Sequence, residues 1–81
     1  MNTTRQRRRT ARFDVVAADG RRFSVDEFTT FVLVQPLSGP ATPPKVAGVE
    51  FLHGPYPANE NEDGTFDVFT GGRDPVRCRR A

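Results

Sequence analysis

Phe13-Asp14-Val15-Val16-Ala17-Ala18-Asp19-Gly20-Arg21-Arg22-Phe23-Ser24-Val25 is the stretch that decides the fold. Phe13, Val15 and Ala17 alternate with Asp14, Val16 and Ala18. Phe23 and Val25 then alternate with Arg22 and Ser24. A period of two puts one set of side chains on each face of a strand. Asp19-Gly20 between the two runs is a strong hairpin signal, because a type I′ turn needs positive φ at both central residues. Two antiparallel strands are therefore expected here.

Downstream, residues 25–35 carry two signals. Ser24 and Glu27 have capping-box spacing, and Val25, Phe28 and Val32 would share a helical face. Thr29 to Val34 is mostly β-branched or aromatic, which favours a strand. The reading adopted is a turn at Asp26-Glu27 followed by a central strand from about Thr29 to Gln35. Residues 36–45 (PLSGPATPPK) hold four prolines and a glycine, and form a stiff extended loop. Residues 46–53 read as a strand with Gly48 at a bulge. Gly54 to Pro57 ends it, and Asn59 to Gly64 is a polar turn. Residues 65–70 and 76–79 read as a final antiparallel pair. Val76 and Cys78 point inward and Arg77 and Arg79 outward, so Asp67 can meet Arg77 or Arg79 across the strands. The fold class is all-β: a small five- to six-stranded antiparallel barrel or sandwich.

Upstream of Phe13, Arg5, Arg7, Arg8, Arg9 and Arg12 lie in a segment with no acid. Self-repulsion and the lack of an apolar face predict a disordered basic tail over 1–12, with one domain over 13–80. The formal charge is thus segregated: +5 over 1–12, −6 over 13–72 and +3 over 73–81, against a total of +2.

Several chemistries are poorly provided for. One cysteine, Cys78, permits no internal disulfide and fits a reducing, cytoplasmic setting. The longest apolar run, Phe31 to Val34, cannot span a bilayer, so no membrane partner is expected. One His, two Ser and one Cys supply no recognisable hydrolytic or zinc arrangement. Thr70-Gly71-Gly72-Arg73 lacks the Lys-Ser/Thr of a phosphate loop. Neither an enzyme nor a cofactor is expected. Cys78, set between two arginines, is expected to point inward as a small hydrophobe.

Asn59 to Asp67 matches part of an EF-hand calcium loop, with oxygen-bearing side chains at its first, third, fifth and ninth positions and glycine at its sixth. Thr70 stands where the bidentate Glu belongs, and neither flank is helical. An Asx-rich turn explains the same residues, so weak calcium binding stands as an alternative only.

The favoured function is a small non-catalytic binding module. Its basic ends would contact nucleic acid or another polyanion through Arg5, Arg7, Arg8, Arg9, Arg12, Arg77, Arg79 and Arg80. Arg does not visibly interleave with Phe or Tyr on an exposed face, which is the usual single-strand signature. The alternative is a protein partner, met at a sheet edge or at the 36–45 loop, where Pro40 and Pro43 have Pro-x-x-Pro spacing. Oligomeric state is left open.

Overall fold

A computed structural model describes residues 2–40 and 42–81. They form six strands: β1 Asn2–Ala17, β2 Arg22–Gln35, β3 Lys45–His53, β4 Tyr56–Glu60, β5 Phe66–Val68 and β6 Val76–Arg80. Each strand pairs antiparallel with the next, and β6 returns to β1, closing a barrel in the order β1-β2-β3-β4-β5-β6. The all-β antiparallel expectation is met, as a closed barrel.

The Asp-Gly hairpin stands where the sequence placed it. Its turn differs in type. Gly20 N–H donates to the Ala17 carbonyl (3.0 Å) and Ala17 N–H to the Arg21 carbonyl (2.8 Å), and Gly20 alone has positive φ, +91°. This is a three-residue loop, a type I turn followed by a left-handed glycine, rather than type I′. The same construction recurs at Asn61–Thr65, with Gly64 at φ +87°. In both turns the aspartate accepts from the backbone N–H two residues on: Asp19 from Arg21 (3.1 Å) and Asp63 from Thr65 (3.0 Å). These bonds lower both carboxyl pKa values: Asp19 chiefly through the Arg21 N–H, and Asp63 chiefly through the Thr65 hydroxyl.

Residues 2–12 correct the expectation of a loose tail; Met1 lies outside the described residues. They are the first two-thirds of β1, laddered to β2 from Asn2↔Gln35 through Arg12↔Asp26. The segment looked self-repulsive because its acids lie elsewhere in the chain. Arg7 Nε donates to Glu50 on β3 (2.6 Å), and Asp26 on β2 takes Arg12 (3.0 Å) and Arg9 (3.9 Å). A helix or turn within 25–35 is also excluded. Asp26 and Glu27 sit mid-strand, paired on one side to Arg12 and Ala11 and on the other to Leu52 and Phe51. Two flanking strands outweigh a local capping signal.

Two bulges bend the long strands. Arg9 faces Phe28 and Ala11 faces Glu27, leaving Thr10 as the extra residue of β1. Thr30 faces Gly48 and Phe31 faces Val46, so the bulge expected at Gly48 falls on its neighbour Ala47. Thr10 Oγ1 donates to Glu27 Oε1 (2.6 Å) and takes a proton from the buried Thr29 hydroxyl, 2.8 Å away.

Strand β4 was hidden by its prolines. Gly54 (φ +58°) and Pro55 make a two-residue link, so the chain reverses at once into Tyr56. Pro57 lacks an N–H, but its carbonyl accepts from Phe69 (3.1 Å), just past the end of β5, and that bond needs only the carbonyl.

The core consists of Val15, Ala17, Val25, Ala58, Phe66, Val68 and Cys78, with Phe13, Phe23, Phe51 and Val76 packed against it. Phe66 is fully buried and touches Phe13 (5.3 Å between centroids) and Phe51 (5.1 Å). Arg80 covers the end of this cluster, 4.2 Å from the Phe13 ring centre.

The molecule is long for its size. Its extents are 57 × 22 × 19 Å and its radius of gyration is 16.5 Å, against about 12 Å for a compact chain of this length. The excess is an arm. Strand β6 meets β1 only at Val15, Val16 and Ala17, and β4 meets β3 only at Leu52 and His53. Residues 2–9, 28–35 and 45–50 therefore continue past the barrel as a single-layer ribbon, with residues 36–40 and 42–44 at its tip.

Phe66→Ala should cost about 3–5 kcal/mol, most of the stability of such a domain, measured by urea denaturation. Gly64→Ala forces a β-carbon into left-handed backbone and should cost about 1–2 kcal/mol, a fall in Tm of several degrees.

Candidate functional site

The arm is built from three stretches that cannot share a core. Paired residues lie on the same face of a sheet, so the register assigns every side chain a side. One face carries Arg5, Arg7 and Arg9 from β1, Phe28, Thr30, Val32 and Val34 from β2, and Lys45 and Glu50 from β3. The other carries Thr4, Gln6 and Arg8, then Phe31 and Leu33, then Val46 and Val49.

Arginine and an aromatic therefore do interleave on an exposed face. The Arg7 guanidinium lies 4.2 Å from the centre of the Phe28 ring. Sequence reading missed this because Phe28 is 21 residues from Arg7 and only the β1–β2 register brings them together. The available signal was the run of β-branched residues in β2, long enough to pair with the whole arginine segment.

Redrawn on the fold, the charge divides differently than along the chain. The arm has Arg5, Arg7, Arg8, Arg9 and Lys45 against Glu50, a net of +4. The barrel holds the remaining −2. Among the described residues, Arg5, Arg8 and Lys45 make no ion pair, while Arg7, Arg9 and Arg12 are each within 4.0 Å of an acid. All of these pairs are partly exposed, so each is weak and open to exchange for another anion. Asp26 is the least exposed of the paired acids, at 19%. Its Oδ1 is enclosed beside Arg12 and Arg9 without a well-aligned hydrogen bond.

The C-terminal arginines behave differently. Arg77 pairs with Asp67 directly across the β5–β6 ladder (Nε–Oδ1 3.5 Å), one of the two partners expected. Arg80 lies over Phe13 and Phe66 and within 3.9 Å of Glu60. Arg79, opposite Val16, faces out without an acid among the described residues. Strand β6 runs beside Val15, Val16 and Ala17, and Ala81 N–H donates to the Asp14 carbonyl (3.1 Å), so the C-terminal arginines adjoin the part of β1 that follows the basic segment, at the barrel and not along the arm.

The remaining candidates are absorbed by the fold. The 59–67 segment is a hairpin, with Asp63 bonded to Thr65 and Asp67 to Arg77. Among the described residues no three His, Cys, Asp or Glu side chains converge as a metal site requires. His53 Nδ1 lies 3.2 Å from the Phe69 carbonyl, which places its proton on Nδ1, and its ring stands edge-on to Phe23. Cys78 points into the core, as the alternation predicted, and burial pushes its thiol pKa up. Among the described residues no helix is long and apolar enough to cross a membrane.

A cleft of about 300 Å³ opens where β3 and β4 diverge, lined by Val49, Phe51, Ala58 and Glu60 among others. No known protein family, curated protein or solved structure matches this chain.

Because the thiolate is the reactive form, native Cys78 should react with iodoacetamide at pH 8 far more slowly than the same chain in denaturant. Equal rates would place the thiol at the surface.

Proposed function

We propose that the protein is a small non-catalytic module that binds nucleic acid through the basic face of its arm. The observation that carries this reading is the concentration of +4 on a projecting single-layer ribbon whose parent barrel is net negative. A sheet face with a row of arginines beside Phe28 and aliphatic side chains offers phosphates a line of cations and offers bases an apolar surface. Successive arginines Arg5, Arg7 and Arg9 repeat every second residue, about 6.6–6.8 Å apart. That spacing is comparable to the separation of neighbouring phosphates along a nucleic-acid strand. Arg12 continues the row beyond the Thr10 bulge, and Arg8 reaches from the opposite face. The proposal gives Arg77 and Arg80 no part, because the fold already employs them.

Exchange of partners is part of the mechanism. Glu50 and Asp26 hold Arg7, Arg9 and Arg12 in line in the free protein and yield them to phosphate on binding. That yields affinity lower than the count of arginines alone would give, together with strong dependence on salt.

A second reading, docking of a protein, is favoured by a different observation. Among the described residues, the outer edge of β1 over 3–13 has no strand beside it, and the β3 and β4 edges facing the cleft are likewise unpaired. An extended segment could add to either. Arginine on the β1 edge and the bulge in β3 both work against such pairing. Sedimentation showing a monomer at all concentrations, with no strand-like partner captured, would remove it.

The nucleic-acid reading is tested by fluorescence titration with DNA and RNA oligonucleotides over a range of salt. The slope of log K against log salt should be about −3 to −4 for the wild type. It should become shallower by about 2–3 in the Arg5→Ala/Arg7→Ala/Arg9→Ala protein. Arg77→Ala/Arg79→Ala should leave it nearly unchanged. Absence of binding at low salt, or an equal loss from both variants, would sink the proposal.

A further inference from the structure

The tip of the arm presents an exposed leucine that the barrel and the basic face do not explain. Leu37 is 93% exposed, well above Val46 at 61% and Val49 at 51%. It lies directly after Pro36 in the connection between β2 and β3, at the far end of the projecting ribbon.

The loop around it is braced. Pro36, Pro40, Pro43 and Pro44 fix four φ angles. Gly39 turns the chain in left-handed backbone, with φ +88°. The Thr42 hydroxyl donates to the Val34 carbonyl (3.1 Å), tying the returning chain to the end of β2. An apolar groove lies close by, lined by Gln6, Arg8, Phe31, Leu33 and Pro44. Pro44 forms one wall of it, whereas Leu37 is not among its lining residues.

We propose that Leu37, backed by Pro36, is a wedge that enters a base step of duplex DNA and kinks it while the arm lies along the minor groove. This rests on the nucleic-acid reading and narrows it to one ligand class. Proteins that bind the minor groove commonly insert Leu, Phe, Ile, Met or Pro between base pairs, and recover the cost of unstacking through the added contacts of the bent duplex. The arm supplies both components. Arg5 lies two strand positions after Thr3, near the tip, and Arg7 and Arg9 follow toward the barrel, so phosphates flanking the wedged step meet a cation at each interval. At its end the ribbon narrows to β1 and β2 alone, because β3 begins opposite Val32. A narrow end with rigid apolar content suits a groove that must be opened, and the arginines suit the negative potential within it.

The sequence of the DNA should matter through its stiffness rather than through base contacts. Pyrimidine–purine steps unstack most readily and should be preferred.

The experiment uses the full chain and a short duplex with 2-aminopurine beside a central TA step, end-labelled for energy transfer. The wild type should raise 2-aminopurine fluorescence and shorten the end-to-end distance by a kink of roughly 20–90°. Leu37→Ala should keep the salt slope of binding and lose both signals, and Leu37→Phe should keep all three. Leu37 is exposed, so circular dichroism should show both variants folded. Binding without unstacking, or unstacking by Leu37→Ala equal to that of the wild type, overturns the wedge and leaves the nucleic-acid reading standing. Absence of binding to any oligonucleotide overturns both. Leu37-dependent association with anionic vesicles, without DNA unstacking, reassigns the tip to a lipid surface and overturns the wedge.

Discussion

Three residue pairs, Val15 with Arg80, Val16 with Arg79 and Ala17 with Cys78, hold the barrel shut. Much of the architecture follows from how short that seam is. Strand β6 has five residues and β1 has sixteen, so most of β1 cannot belong to the ring. It continues beside β2, which is nearly as long, and β3 joins them. The barrel and the arm are therefore not two domains but two lengths of the same ladder. Val15, Val25 and Phe66 bury themselves in the first length; in the second Phe31 and Leu33 stay only half-buried and Val46 is exposed.

Electrostatics fits this division. A single-layer sheet has no core to stabilise it, and its marginal stability depends on cross-strand pairs. Here those pairs are Arg7 with Glu50 and Phe28, and, at the root of the arm, Arg9 with Asp26 of the barrel. The contacts that order the arm are the ones a polyanion would compete for. Arg80 and Arg77, by contrast, sit where the barrel uses them, one over its aromatic end and the other on Asp67.

Local patterns were legible in the sequence and remote ones were not. Alternation gave the first hairpin, the inward Cys78 and the Asp67–Arg77 pair, because each depends on neighbours within about a dozen residues. The turn type was misread because Asp-Gly serves a three-residue loop as readily as a two-residue one. Strand β4 was missed because proline weighs against a strand in general, while Pro57 needs only its carbonyl. The arm was taken for a tail because disorder was inferred from residues 1–12 alone. Its neutralising acids, Asp26 and Glu50, lie far along the chain, and no rule applied to the arginine segment by itself could have found them.

The order of the strands has a consequence for chain entropy. Every ladder but one joins strands adjacent in sequence, so five of the six close only short loops. The seam joins residues about 60 apart, and closing a flexible loop of that length would cost about 3–4 kcal/mol. The chain does not face it as a flexible loop. In the folded chain the intervening hairpins replace most of that span with a curling sheet, whose built-in twist brings its two edges together. Two Asp-Gly loops of the same construction, one after β1 and one before β5, tighten the span where it would otherwise be slack. So short a seam suffices because the curl of the sheet has already done most of the work of closure.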